Sequence, residues 1–72
     1  MRVVVAPVPG EIGQVHVEPG APVAAGQLLF SMEVMEMRQQ VVAPVEGRIR
    51  LLLVKKGDKV TQGALLAEIT QR

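Results

Sequence analysis

The sequence predicts an all-β fold in which two small sheets pack face to face. Seven Gly and five Pro are spread through only 72 residues. Helix interiors tolerate neither residue, whereas strands bounded by turns use both. The chain also repeats itself, because a shift of 37 positions aligns residues 6–32 with residues 43–69 at 11 identities in 27 positions. Two equivalent halves of about four strands, neither able to bury its apolar face alone, are most simply assembled around a quasi-two-fold axis.

In the first half, Val15 and Val17 show the period-2 spacing of a strand. Ile12 is an odd number of residues away from both, so in a regular strand it would face the opposite side of the sheet. A bend or bulge between Ile12 and Val15 reconciles the two parities. The segments Glu18-Pro19-Gly20 and Ala25-Gly26-Gln27 are turn signals, since Gly supplies a positive φ. The first half is therefore predicted as short strands separated by tight turns.

The second half repeats this pattern, with Ile49 on the opposite parity from Leu52 and Val54. Its turn signals are Lys55-Lys56-Gly57-Asp58 and Gln62-Gly63-Ala64. The recurrence of the bulge signal in both halves argues against chance. The apolar positions that we expect in the core come from both halves: Val5, Ile12, Val15, Val17, Val23, Leu29, Phe30, Val41, Ile49, Leu52, Val54, Val60, Leu66 and Ile69.

The segment 33–42 joins the halves and has no twin, because its symmetry counterpart falls at the two chain ends. A connection here closes as a hairpin centred near Met35 and Glu36. Protruding loops that the scaffold does not require are common functional sites. We therefore expect function at this hairpin.

Length and composition limit the class of protein. With 49% hydrophobic and 21% charged residues, residues 1–72 can form one small domain. No Cys is present, which excludes disulfides and thiolate chemistry. A net charge of +1 and a single aromatic residue, Phe30, argue against nucleic acid as a partner. No apolar run has the length of a signal or membrane segment, so we expect a cytoplasmic protein with no membrane partner.

Four motifs follow one another along the chain: Ala6-Pro7-Val8-Pro9-Gly10, Glu33-Val34-Met35-Glu36-Met37, Val42-Ala43-Pro44-Val45-Glu46-Gly47 and Lys56-Gly57-Asp58-Lys59-Val60. With these motifs at family-like spacing, the chain resembles the biotinyl/lipoyl attachment domain family from about Val3 to Ile69, most closely its biotin carboxyl carrier domains. The resemblance implies a flattened barrel of two four-stranded antiparallel sheets with quasi-two-fold symmetry.

The family's hairpin tip usually reads Glu-Ala-Met-Lys-Met, with biotin joined to the Lys as an amide, whereas Glu36 stands at that position here. Attachment requires an amine nucleophile, so we expect no biotin on this chain unless the native residue is Lys. Three interpretations stay open for Glu36: a natural homologue without the lysine, an altered acceptor, or a misread register. Met35 and Met37 either serve ligase recognition and cofactor shielding or simply cover the strand ends.

The resemblance implies a non-enzymatic carrier domain of a biotin-dependent carboxylase or decarboxylase system. Its implied partners are biotin protein ligase and the biotin carboxylase and carboxyltransferase subunits. The alternative is a cofactor-free module that docks or scaffolds a partner complex. Lys55, Lys56 and Lys59 are remote candidates for a substitute acceptor, since no Met flanks them.

Catalytic and metal sites have little support in the sequence. A Ser/His/Asp triad can be drawn only from Ser31, His16 and Asp58, without a nucleophile elbow, and alternation points His16 to solvent. The single His and scattered Glu residues lack metal-ligand spacing. The positively charged Arg48 and Arg50, with Arg38 as a candidate third member, are expected to line one outward sheet face that could dock an acidic partner.

Overall fold

The computed structural model describes residues 1–71 and contains eight β-strands and no helix in that range. No helix there is long and apolar enough to cross a membrane. In chain order the strands are β1 (Arg2–Val5), β2 (Gly10–Val15), β3 (Pro22–Val23), β4 (Leu28–Val34), β5 (Met37–Val42), β6 (Gly47–Leu52), β7 (Lys59–Val60) and β8 (Leu65–Thr70).

The strands form two four-stranded antiparallel sheets. The first sheet has the order β1-β8-β6-β3, and the second has the order β5-β4-β2-β7. Shifting the sequence by one repeat of 37 residues exchanges β1 with β5, β2 with β6, β3 with β7 and β4 with β8, and this exchange converts one strand order into the other. The predicted all-β class and its quasi-two-fold symmetry are confirmed.

Both predicted bulges are present. The pairing of β2 with β4 shifts register between Ile12 and Gln14, and the pairing of β6 with β8 shifts between Ile49 and Leu51. The extra residue in each strand lets Ile12 and Ile49 face the core while the later apolar residues of the same strand also pack against it. The apolar residues that break the alternation in the sequence therefore mark the positions of two β-bulges.

Tight turns with a left-handed Gly occur at matching places in the two halves. Gly20 and Gly57 have φ values of 88° and 93°, and Gly26 and Gly63 have values of 86° and 85°. In the second half the carboxylate of Asp58 adds a bond, because Lys55 N donates to its Oδ2 over 2.9 Å. These turns reverse the chain around the two short strands β3 and β7.

The core lies between the sheets and draws on both halves. Its buried apolar residues are Val4, Ala6, Ile12, Val17, Val23, Leu29, Phe30, Met32, Val41, Ala43, Ile49, Leu66, Ala67 and Ile69. Four of the residues expected in the core are only partly buried and pack against it: Val15, Leu52, Val54 and Val60. The prediction for Val5 is wrong, because Val4 is the inward residue of β1 (3% exposed) and Val5 is 41% exposed.

Candidate functional site

The hairpin between β4 and β5 ends in a two-residue turn. Val34 pairs with Met37 across the two strands, which leaves Met35 and Glu36 as the turn. Met35 has a φ of 59°, the one non-Gly residue with positive φ among residues 1–71. The left-handed region costs an L-residue roughly 1–2 kcal/mol, and such outliers are concentrated at functional sites. The tip is therefore held in a conformation that its sequence does not favour locally.

The side chains of the tip project into solvent. Met35 is 97% exposed and Met37 is 75% exposed, and Glu36 is exposed as well. The interpretation in which the two Met side chains cover the strand ends is therefore wrong for Met35. Two exposed Met side chains give no stability through burial and present a flexible apolar surface to any partner.

The residue between these methionines is a carboxylate, which does not fit the family's cofactors. Biotin and lipoate are attached as amides, and the attacking group must be an amine. The carboxylate of Glu36 would yield only a hydrolysable anhydride, because an acid oxygen in place of an amine forms no amide. The tip is therefore an exposed two-residue turn that offers no amine nucleophile at position 36.

A row of four charged residues crosses the second sheet close to the tip. Glu11 pairs with Lys59 on one side and with Glu33 on the other, and Glu33 pairs with Arg38. Directly paired residues lie on the same face of a sheet, so two carboxylates stand side by side between two cations. In the described part of the chain, none of the four forms an ion pair within 4.0 Å. The row is therefore a charged surface open to a partner.

A groove of about 520 Å³ separates the hairpin from β7. Gly10 forms part of its lining, and a Cβ at this position would lie 2.6 Å from the carbonyl oxygen of Glu33, so β2 and β4 meet closely there. Lys59 and Met35 both line this groove. Of the three lysines considered as substitute acceptors, Lys59 is the one that shares this groove with the tip, and its modification stays a prediction.

The candidate triad is not assembled. His16 is exposed, as predicted, and its Nε2 lies 2.9 Å from Oγ of Ser31. Asp58 is engaged elsewhere, because its carboxylate accepts hydrogen bonds from N of Lys55 and from Nζ at 3.2 Å. The backbone N–H of Lys55, then its ammonium group, lowers the pKa of Asp58 below the usual value. Of the three residues of the candidate triad, the structure brings His16 and Ser31 together through strand register and leaves Asp58 out.

The expected basic face is divided between the sheets. Arg48 and Arg50 lie exposed on β6 of the first sheet, whereas Arg38 lies on β5 of the second sheet. The grouping with Arg38 is therefore wrong, because sequence distance does not show which sheet a strand joins. Arg50 is also paired, since its guanidinium contacts the carboxylate of Glu68. Within residues 1–71 no group of three His, Asp or Glu side chains could hold a metal ion.

Comparison with known proteins gives one family and a consistent set of structures. The model of a family described as biotin-requiring enzyme matches residues 2–69. Curated protein sequences give no match. Among solved structures, a single-chain, multi-domain long-chain acyl-CoA carboxylase is 30% identical over 99% of this chain, with a TM-score of 0.92. The urea carboxylase of Kluyveromyces lactis is 28% identical over 96% of this chain, with a TM-score of 0.89.

A lipoyl domain is similar as well. The lipoyl domain of the 2-oxoglutarate dehydrogenase complex from Azotobacter vinelandii is 28% identical over 89% of this chain and 81% of its own, with a TM-score of 0.75. The chain spans only 7% of the acyl-CoA carboxylase and 6% of the urea carboxylase. The two carboxylases have higher TM-scores than the lipoyl domain. This ranking points in the same direction as the Met residues on both sides of Glu36, which resemble the biotinyl version of the motif.

Proposed function

The chain belongs to the biotinyl/lipoyl family, whose domains are carriers, and from this premise we propose that it is a carboxyl carrier-like domain of a biotin-dependent carboxylase system that carries no biotin. The observation that supports the proposal is the hairpin tip. Met35 and Met37 stand exposed on either side of the acceptor position, while Glu36 occupies that position itself. The domain keeps the surface that a partner would contact and lacks the nucleophile that would bind the cofactor.

A carboxylase system is favoured over a lipoyl-dependent dehydrogenase by two observations. Met residues flank the acceptor position on both sides, as in the biotinyl version of the motif. The two carboxylase structures superpose on nearly the whole chain with TM-scores of 0.92 and 0.89, against 0.75 for the lipoyl domain. The proposed partners are therefore biotin protein ligase and carboxylase subunits, which contact the tip and the neighbouring face of the second sheet.

The residues of this chain have a binding role in the proposal and no catalytic one. A swinging biotin arm requires a stable amide at the tip, and Glu36 cannot form it. The tip can still enter a partner's site through the apolar side chains of Met35 and Met37. Its carboxylate favours a partner group of positive charge over the neutral environment that suits a biotinyl amide.

The proposal is tested by restoring the amine. Glu36→Lys, expressed with an active biotin protein ligase and biotin, should gain one biotinyl group in the intact mass, while the wild type and Glu36→Gln stay unmodified. Glu36→Gln is the matched control, because it removes the charge of the carboxylate without supplying a nucleophile. A folded Glu36→Lys protein that the ligase leaves unmodified would contradict the carrier assignment.

A second function, a cofactor-free module that docks or scaffolds a partner complex, is favoured by the carboxylate of Glu36 itself. This function requires the tip surface and does not require compatibility with the ligase. Under it, Glu36→Lys stays unmodified, and Met35→Ala with Met37→Ala releases a partner that co-purifies with the wild type. Biotinylated Glu36→Lys together with carboxylase subunits in the co-purified fraction supports the carrier-derived function instead.

A further inference from the structure

One position on the outer surfaces of the two sheets differs sharply between the symmetric halves. At the bulge of β6 the extra residue is Arg50, and its side chain reaches over the sheet to pair with Glu68. At the bulge of β2 the equivalent residue is Gly13, and Ser31 takes the place of Glu68. The same place on the scaffold is thus filled by an ion pair on the first sheet and left open on the second.

The opening on the second sheet is a small pocket of about 210 Å³. It is lined by Gly13, Gln14, Ser31, Glu33, Arg38 and Lys56. Ser31 is only 9% exposed, and its hydroxyl is held by Nε2 of His16 at 2.9 Å. In the tautomer that carries hydrogen on Nε2, His16 donates this bond and the hydroxyl hydrogen of Ser31 is available to a ligand.

The charged groups around this pocket are not neutralised internally. Arg38 and Lys56 supply two positive charges and Glu33 supplies one negative charge, which leaves one positive charge. The ion pairs in the described residues, Arg50 with Glu68 and Lys55 with Asp58, involve neither of the two cations. A ligand with a single negative charge would therefore complete the charge balance.

We propose that this pocket binds a carboxylate group. The guanidinium of Arg38 can hold both oxygens of a carboxylate in a planar, bidentate arrangement, and Lys56 adds a second charge-assisted donor. The amide of Gln14 and the hydroxyl of Ser31 offer neutral donors among the lining residues. The volume is below the range of about 300–1,000 Å³ that is typical of drug-sized ligands, so a small acid or one side chain fits and a cofactor does not. The site is independent of the proposed carrier role.

The test is a titration of the uniformly ¹⁵N-labelled chain with sodium acetate, followed by backbone amide chemical shifts. Shifts at Gly13, Gln14 and Ser31 should saturate with a Kd on the order of 10 mM, as suits a few charge-assisted contacts at a partly open site. Sodium chloride at equal ionic strength should not reproduce them. Shifts that stay linear in acetate, or that chloride matches, overturn the proposal.

Charge variants separate a binding site from a general salt effect. Arg38→Gln and Lys56→Gln should each weaken acetate binding by about tenfold or more, which corresponds to the loss of one charge-assisted contact. Glu33→Gln should tighten it, because it removes the opposing charge. Lys59→Gln is the matched control, since Lys59 is an exposed cation on the same sheet outside the pocket lining. Equal affinities in all four variants would contradict the site.

The carboxylate could belong to a small acid or to a partner's acidic side chain. A capped Gly-Glu-Gly peptide and its Gln counterpart distinguish these sources. Tighter binding of the Glu peptide than of acetate supports a protein partner, and equal affinity supports a small acid. Binding of the Gln peptide as strongly as the Glu peptide would overturn the assignment to carboxylate.

Discussion

The two halves of the chain share a backbone and differ in what they present to solvent. Positions that serve the backbone agree, as Gly10 and Gly47 do at the starts of β2 and β6. Positions that face solvent diverge, because the exposed residue Leu51 in the second half corresponds to Gln14 in the first. The comparison separates residues that the fold requires from residues that are free to acquire a function.

The two sheets differ in the polarity of their outer faces. Leu53 is 44% exposed in the second half, whereas the equivalent residue of the first half is His16, which holds Ser31. The outer face of the first sheet is accordingly more apolar, and that of the second sheet carries the charged row and the carboxylate pocket. Both features of the second sheet lie on the sheet that also carries the hairpin tip.

The largest effect is expected where the halves agree. A Cβ at Gly47 would lie 2.5 Å from the carbonyl oxygen of Thr70, and one at Gly10 would lie 2.6 Å from that of Glu33. Because backbone atoms must move to accept it, Gly47→Ala and Gly10→Ala should each destabilise the fold by about 2 kcal/mol or more. The measurement is the free energy of unfolding from urea denaturation.

Gly13→Ala is the matched control for these variants, because its Cβ would lie 3.2 Å from the nearest atom, a contact that a small adjustment can relieve. We expect it to cost clearly less than either symmetric variant. If Gly47→Ala were destabilising and Gly10→Ala neutral, the two close approaches would not be equivalent. The comparison between the halves would then fail for the backbone itself.

At the hairpin tip, which has no symmetry counterpart, we expect a smaller change in the free energy of unfolding, in the stabilising direction. Met35→Gly removes the cost of a left-handed Met, roughly 1–2 kcal/mol, and adds the entropy cost of Gly in the unfolded chain, about 0.5–1 kcal/mol. The net result is stabilisation by about 0.5 kcal/mol, measured by urea denaturation. In the Glu36→Lys background the same change should slow biotinylation. A stability loss would show that Met35 is not strained.

The sequence repeat made much of the scaffold predictable. The bulges could be read from the parity of Ile12 and Ile49, and the turns from Gly, because local residue types determine both features. Val5 was placed in the core wrongly, since three consecutive Val residues in β1 carry no alternation from which the inward side could be read. The carboxylate pocket depends on which residues pair across strands, and one sequence does not specify that register.

The smallest change in stability is expected at a turn where one half has a charged residue and the other half has an apolar one. The turn of the second half carries Asp58, whereas the equivalent residue in the first half is Ala21, and both turns share a backbone hydrogen bond of 3.1 Å. Because the N–H and ammonium of Lys55 lower the pKa of Asp58, its charged form stabilises the fold.

This contribution is present above the usual Asp pKa of about 3.9 and is lost as the pH falls through the lower pKa of the folded state. Asp58→Asn keeps an acceptor for Lys55 N and removes the charge, so its Tm should lie below that of the wild type at pH 7 and converge with it in acid. Asp58→Ala, which copies Ala21, should lie lower than Asp58→Asn at neutral pH because it also loses the acceptor. A difference between wild type and Asp58→Asn that stays constant from pH 7 to acid would show that the charge of Asp58 contributes nothing to the stability of this turn.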